Sequence, residues 1–321
     1  MLALTLLLFF GTLTYTALLT RRLIPILRAK KMGQSILKIG PVWHKDKEGT
    51  PTMGGIVFLS GIVVLSMLGC FLFEKEGLLP LGIAVLFAVL NGACGIIDDA
   101  AKLKNKQNQG LLPWQKIILQ SAFAFLFLYL WETKIASSLP LYLPFLPLFI
   151  DYSLVAYFLL FLLLVGTVNC TNLTDGIDGL CSTVVFIISV FFFIEGYLAK
   201  NVALLSLGAS VAGSMLGFLL FNHHPARIFM GDTGSLFLGG LVSSGAFLLG
   251  KPLSALVFGF PFVLEGASVI LQVLVYKRTR RRLFLMAPIH HHLEKRGWSE
   301  NKIVYAFMAL TLAFCFTAHF S

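Results

Sequence analysis

Charged side chains make up only 12% of this 321-residue sequence, about half the roughly 25% of an ordinary soluble domain. With 57% apolar residues, that shortage excludes a soluble globular domain, a disordered chain and a collagen-like repeat. Cysteine is also sparse. Cys70, Cys94, Cys170, Cys181 and Cys315 fall in apolar stretches with no Cys-x-x-Cys spacing, so neither a zinc knuckle nor a disulfide framework is indicated. The sequence has no His-Glu-x-x-His, no long low-complexity linker, and no repeat strong enough to imply a transporter's paired halves. Acid is short too: 15 Asp and Glu against 25 Lys and Arg leave a net charge of +10.

What the chain has in abundance is long apolar runs. A membrane-spanning helix needs about 20 apolar residues. One run fills the first twenty positions, and others start near Met53, Leu79, Trp114, Ser153, Gly179, Val202, Thr233, Pro252 and Lys302. They predict an all-α integral membrane protein of about ten transmembrane helices, a single polytopic domain over 1–321. Arg21 and Arg22 follow the first run and do not precede it, an order that argues against a cleaved signal peptide. Twenty-one of the basic residues then fall in loops on one side, and only Lys75, Lys134, Lys200 and Lys251 on the other. By the positive-inside rule the richer side is cytosolic and both termini are external. The net charge thus reports orientation and no nucleic-acid partner. Between the fourth and fifth runs, the external stretch from Ile135 to Asp151 predicts a short hairpin or re-entrant piece.

The informative acids sit at cytosolic span ends. Asp98 and Asp99 close the third span, where two carboxylates oppose the helix dipole and repel each other. A cation is expected beside them: Lys102, one helical turn on, or a divalent metal. A solvated acidic helix end is the alternative. The loop after the fifth span, Asn169-Cys-Thr-Asn172-Leu-Thr-Asp175-Gly-Ile-Asp178-Gly179, puts Asp175 and Asp178 three residues apart, on one face if helical; ordinary helix caps explain them equally well. The loop before the eighth span reads Asn222-His-His-Pro-Ala-Arg-Ile-Phe229-Met-Gly231-Asp232-Thr-Gly-Ser235. A glycine-flanked turn that opens a helix offers free N–H groups to an anion, and Asp232 could hold that anion's metal. Three separated loops that bring carboxylates and small residues to one face favour a shared site over three independent caps.

The last cytosolic loop carries Lys277-Arg-Thr-Arg-Arg-Arg282, most simply an anchor for anionic lipid headgroups. Met286-Ala-Pro-Ile-His290-His291-His292 follows. Neighbouring residues on a helix point about 100° apart, so the three histidines cannot share one metal. One or two could donate to phosphate or move a proton; a solvated loop would account for them too. Glu265 sits mid-span beside Pro261 and Gly266, where an ionisable residue is a functional candidate by default, and it is the feature that most favours a transporter. Gly245 to Pro252 nearly spells a phosphate-binding loop, but Pro252 replaces the required Ser or Thr and no strand precedes it.

Taken together, Gly49-Thr-Pro-Thr52-Met-Gly-Gly55, Asp98-Asp99-x-x-Lys102, Asn169 to Gly179, Asn222 to Ser235 and Met286 to His292 resemble the polyprenyl-phosphate N-acetylhexosamine-1-phosphate transferases. The resemblance runs along nearly the whole chain, and the Pro-Ile-His-His-His element is similar to the phospho-N-acetylmuramoyl-pentapeptide-transferase branch. It implies ten transmembrane helices in the bacterial inner (cytoplasmic) membrane, a cytosolic active site, commonly a homodimer, and Mg²⁺. It also implies the reaction of UDP-MurNAc-pentapeptide with undecaprenyl phosphate to give lipid I and UMP.

By the same resemblance Asp98 and Asp99 are the catalytic acidic pair and Asp232 the Mg²⁺ ligand. Lys102 and Lys116 face phosphate. Asn169, Asn172, Asp175, Asp178, Asn222 and Phe229 form the nucleotide and sugar side, with Lys47, Thr52, Gly231 and Ser235 among the substrate-binding residues. His290, His291 and His292 make the substrate-selective edge, His290 with a catalytic part. A sister enzyme using UDP-N-acetylglucosamine is the nearest rival, and the histidine element is the feature against it.

Overall fold

The computed structural model describes residues 2–30, 47–105, 110–136, 141–146, 148–150 and 154–320. Lys31, Lys38, Lys45 and Lys106, four of the basic residues assigned to the cytosolic loops, lie outside them. The described chain is almost entirely helical. In order it forms α1 (Leu2–Ala29), α2 (Gly55–Phe73), α3 (Leu78–Asn105), α4 (Pro113–Lys134), α5 (Leu154–Thr174), α6 (Leu180–Leu198), α7 (Val202–Asn222), α8 (Gly231–Leu248), α9 (Ala255–Phe258), α10 (Phe260–Thr279), α11 (Ile289–Lys295) and α12 (Glu300–His319). Among the described residues, eight helices are long and apolar enough to cross a membrane: α2 to α7, α10 and α12.

The other two long helices depart from a plain apolar span for visible reasons. α1 contains Arg21, Arg22 and Pro25. α8 is rich in Gly and Ser, yet Thr233 to Leu248 are all buried. It is wrapped by protein, so it need not be apolar toward lipid. Its small residues let α3 approach closely, which is how helices gain contact where no hydrophobic effect drives them together. A Cβ on Gly240 would lie 2.7 Å from the Ala88 Cα, and the Ser244 hydroxyl donates to the Ala84 carbonyl at 3.2 Å. Among the described residues the α3–α8 contact is the most extensive, followed by α6–α7 and α1–α7.

Short connections make neighbouring helices antiparallel, so the C-terminal ends of α3, α5 and α7 lie beside the N-terminal ends of α4, α6 and α8. At that end Gly179 takes φ +75° at the start of α6 and Gly231 takes φ +72° at the start of α8. At the opposite end, two-residue strands Leu141–Tyr142 and Phe149–Ile150 pair antiparallel. The stretch after α4 is therefore a small β-hairpin, one of the two forms the sequence allowed.

Two expectations are corrected in detail. The run starting near Pro252 is not one continuous span: a single 3₁₀ turn and the four-residue α9 precede a break at Gly259, and α10 begins at Phe260. The histidine run is not a loop. It forms the short helix α11 with Pro288 at its cap.

Candidate active site

Asp98 and Asp99 lie within α3, which continues past them to Asn105. They are neighbours with different surroundings. Asp98 is fully buried; its Oδ1 accepts from the Leu111 N–H at 2.7 Å and lies 3.0 Å from Lys116 Nζ, while Oδ2 is 2.6 Å from Lys102 Nζ. The cation expected one helical turn on is therefore in place, with a second from α4. Asp99 turns the other way, onto the start of α8. Its Oδ2 accepts from the Thr233 N–H at 2.9 Å and the Thr233 hydroxyl at 2.7 Å, and its Oδ1 from the Asp232 N–H at 3.2 Å. It caps a helix on another segment, where free N–H groups and the dipole favour a negative charge. The close approach depends on Gly231, where a Cβ would stand 2.5 Å from Asp99 Oδ2.

Asp232 completes the centre. Lys116 Nζ donates to its Oδ2 at 2.5 Å, and Lys102 Nζ lies 3.2 Å from Oδ1. Asn172 on α5 donates to the same Oδ1 at 3.2 Å and to Ser235 Oγ at 2.7 Å. Asp98, Asp99 and Asp232 each present a carboxylate oxygen within 4.8 Å of the others. Three hard oxygen donors in that space fit Mg²⁺, Mn²⁺ or Ca²⁺ and not a thiolate- or imidazole-seeking ion.

A second cluster adjoins the α5–α6 turn. Lys47 Nζ lies 2.7 Å from both Asp178 Oδ1 and Glu300 Oε2. Glu300 Oε2 also accepts the Asp178 N–H at 2.9 Å. Asp178 Oδ2 accepts the Ala226 N–H at 2.9 Å and sits 3.0 Å from His224 Nδ1. Burial alone would push the Asp178 carboxyl up, but Lys47, the Ala226 N–H and His224 outweigh it and hold it below its usual 3.8. Asp175 goes the other way. Burial, then the charges of Asp232, Asp99 and Asp178, push its carboxyl well above 3.8, with Lys47 offsetting part of the rise.

The remaining expected residues divide between the clusters and their supports. The 47–55 segment is zipped onto the loop before α8: the Phe229 N–H donates to the Pro51 carbonyl at 2.8 Å and the Gly54 N–H to the Phe229 carbonyl at 2.9 Å. Thr52 meets the centre through Gly231, whose Cβ would stand 3.0 Å from the Thr52 hydroxyl. Asn222 is buried; its Oδ1 accepts from Ser182 at 2.7 Å and its Nδ2 donates to the Ile228 carbonyl at 3.0 Å. Asn169 donates to Gln120 on α4 at 2.7 Å and to the Val165 carbonyl.

The three histidines take different partners, although the rings of His290 and His291 pack with centroids 4.1 Å apart. His290 is fully buried with Nδ1 3.1 Å from Glu265 Oε2. His291 Nδ1 meets Glu294 at 2.5 Å, and His292 Nδ1 accepts from the Leu285 N–H at 3.1 Å. Glu265, the feature that most favoured a transporter, is thus partnered by the histidine element.

Sequence reasoning missed Thr233, Gln120 and Glu300. Thr233 was within reach, since it follows Asp232 directly. Glu300 reads as an ordinary first-turn acid of the last helix and Gln120 as a lone polar residue in a span, so neither carries a signal.

Comparison with known proteins shows the family. The description "Glycosyl transferase family 4" matches residues 81–250, and signature 1 of the phospho-N-acetylmuramoyl-pentapeptide-transferases matches residues 47–59. The chain is 41% identical over 295 residues to the phospho-N-acetylmuramoyl-pentapeptide-transferase of Caldicellulosiruptor bescii, covering 92% of this chain and 90% of that one. The enzyme of the same name from Levilactobacillus brevis is 41% identical over 305 residues, 94% and 93% of the two chains. That of Heliobacterium modesticaldum is 42% identical over 294 residues, 92% and 90%. This chain belongs to the phospho-N-acetylmuramoyl-pentapeptide-transferase family. Signature 1 of that family covers Lys47 and Thr52, and the broader match contains Asp98, Asp99, Lys102, Lys116 and Asp232.

Proposed function

We propose that this transferase moves the phospho-MurNAc-pentapeptide group of UDP-MurNAc-pentapeptide to undecaprenyl phosphate, giving lipid I and UMP. One observation supports the site assignment above others: three carboxylates and two lysines from α3, α4 and α8 meet at one end of the helix bundle. In this reading the lipid phosphate oxygen attacks the sugar-linked phosphorus, and the bond to the UMP oxygen breaks. Phosphoryl transfer asks a protein mainly for positioning and charge neutralisation. Lys102 and Lys116 draw in the phosphate oxygens, and Asp98, flanked by both lysines, orients the attacking phosphate. That phosphate has a second pKa of about 6 if it behaves as other phosphomonoesters, so little proton remains to be removed.

Asp232, with Asp98 and Asp99 beside it, would hold Mg²⁺. The ion supplies charge neutralisation to the diphosphate when bound. Lys47, Thr52, Asn169, Asn172, Asp175, Asp178, Asn222, Phe229, Gly231 and Ser235 form or support the nucleotide and sugar side, and His290 to His292 its selective edge. We place α1 and α8 as spans beside the other eight, which makes ten, with the site on the cytosolic face of the bacterial inner membrane and both termini outside. A homodimer is part of the same reading.

Purified protein incubated with polyprenyl phosphate, Mg²⁺ and each UDP-sugar tests it directly. UMP release with UDP-MurNAc-pentapeptide is the expected outcome. Release with UDP-N-acetylglucosamine in its place would transfer the assignment to the sister enzymes.

A further inference from the structure

Glu265 takes no part in the acidic centre, yet it is an ionisable residue within a span. Its side chain is fully buried on α10, as is that of His290, whose Nδ1 stands 3.1 Å from Glu265 Oε2. The approach is close without being in line. Both carboxylate oxygens and both ring nitrogens lack an aligned hydrogen bond among the described residues. A buried carboxylate held by one out-of-line partner is costly to keep, which argues that the contact serves something besides packing.

The far side of the imidazole shows what that is. His290 Nε2 packs against Gly176, where any Cβ would collide with the ring. Gly176 lies between Asp175 and Asp178 in the turn from α5 to α6. α10, α11 and that turn are thus stacked in series, with the imidazole as the middle member. Next to Glu265, Gly266 packs as tightly on Cys170 of α5, so α10 is seated on α5 just before the turn begins.

We propose that Glu265 is a positioning residue: through His290 it fixes the glycine turn that carries Asp175 and Asp178. The negative charge 3.1 Å from Nδ1 favours the proton on that nitrogen and so sets the tautomer, leaving Nε2 without a proton against Gly176, as a partner at one ring nitrogen decides the state of the other. The proposal rests on the reading of that turn as the nucleotide-sugar side of the site.

Two readouts on the full-length protein in detergent test it. In ¹⁵N-histidine spectra, with His290→Gln identifying the signal, His290 should show the Nδ1-protonated tautomer, and Glu265→Gln should change its two nitrogen shifts. In steady-state kinetics, Glu265→Gln should raise KM for UDP-MurNAc-pentapeptide about tenfold while KM for undecaprenyl phosphate moves less than about twofold. The double variant Glu265→Gln/His290→Gln should be no worse than His290→Gln alone. Should Glu265→Gln fail to fold, Gly176→Ala probes the stack from its other side and should give the same split between the two KM values.

An unchanged His290 spectrum in Glu265→Gln, or equal losses toward both substrates, overturns the positioning role. A normal nucleotide KM in Asp178→Asn as well as in Glu265→Gln overturns instead the assignment of the turn, and takes the positioning role with it.

Discussion

At the scale of single residues, adjacent identical side chains do different work when different elements surround them. Asp99 spends both oxygens on the Thr233 and Asp232 amides and the Thr233 hydroxyl. Asp98 faces two lysines. An amide at 99 would turn a donor toward those donors, so Asp99→Asn should lower stability by about 2 kcal/mol, the scale of a hydrogen bond to a charged group, as well as activity. Asp98→Asn keeps an acceptor for the Leu111 N–H, and relief of repulsion from Asp99 and Asp232 offsets its lost pairing with Lys102 and Lys116, both of which keep Asp232 as a partner. It should melt within a few degrees of the parent while turnover falls about a hundredfold, about 2.7 kcal/mol of transition-state stabilisation. Thermal melting in detergent beside UMP release separates the two.

Lys47 offers a second test at this scale. It is the cation between Asp178 and Glu300, and removing one member of a mostly buried pair typically costs about 3 kcal/mol because the others are left uncompensated. Asp178 is held below 3.8 in the folded chain. A depressed carboxyl contributes stability that is full above the unfolded value and is lost as pH falls through the folded one. Lys47→Met should therefore melt well below the parent at pH 7, and the gap should narrow as pH drops below about 4. A gap that stays constant down to about pH 3 would remove the Asp178 pair as its source.

At the scale of elements, the apolar runs were legible because a span must be long and continuous. Starts anticipated at Leu79, Trp114, Ser153, Gly179 and Val202 fall at Leu78, Pro113, Leu154, Leu180 and Val202. The break at Gly259 was not legible, since a four-residue helix leaves the apolar run unbroken. Nor was α11, whose seven residues are too few to show a period. The contact of His290 with Glu265 joins positions that no local spacing relates.

Likewise, the acidic centre could be read as a convergence of loops, but the division between Asp98 and Asp99 depends on how α3 is rotated against α8. Their small-residue seam fixes that rotation. Gly240→Val would force the Ala88 backbone away, an overpacking cost of roughly 1–3 kcal/mol. It should also lower turnover at a site more than one helical turn removed, because Asp99 and Thr233 would lose register. A destabilised variant with unaltered turnover per folded molecule would show the seam to be purely structural.

Across the whole molecule, the cations that line the site belong to the same charge asymmetry that sets its orientation. Lys102 and Lys116 sit at the end of the bundle opposite Lys75 and Lys200. In a cysteine-free background, Lys75→Cys and Lys200→Cys should react with an impermeant thiol reagent added to intact cells, and Lys104→Cys should not. Labelling at 104 with 75 protected would invert the proposed topology.

The polarity of α8 has a consequence for how the chain is built. Eleven of its eighteen residues are Gly, Ser, Thr, Asp or Ala, a composition that partitions weakly into a bilayer by itself. The helices that enclose it most, α3, α5 and α2, all precede it in the chain. When α8 leaves the ribosome its receiving surface already exists, so it can be taken up by protein and need not first be dissolved in lipid. Order of synthesis thereby complements hydrophobicity, and a helix poorer in apolar residues than its neighbours can still carry Asp232 into the bundle.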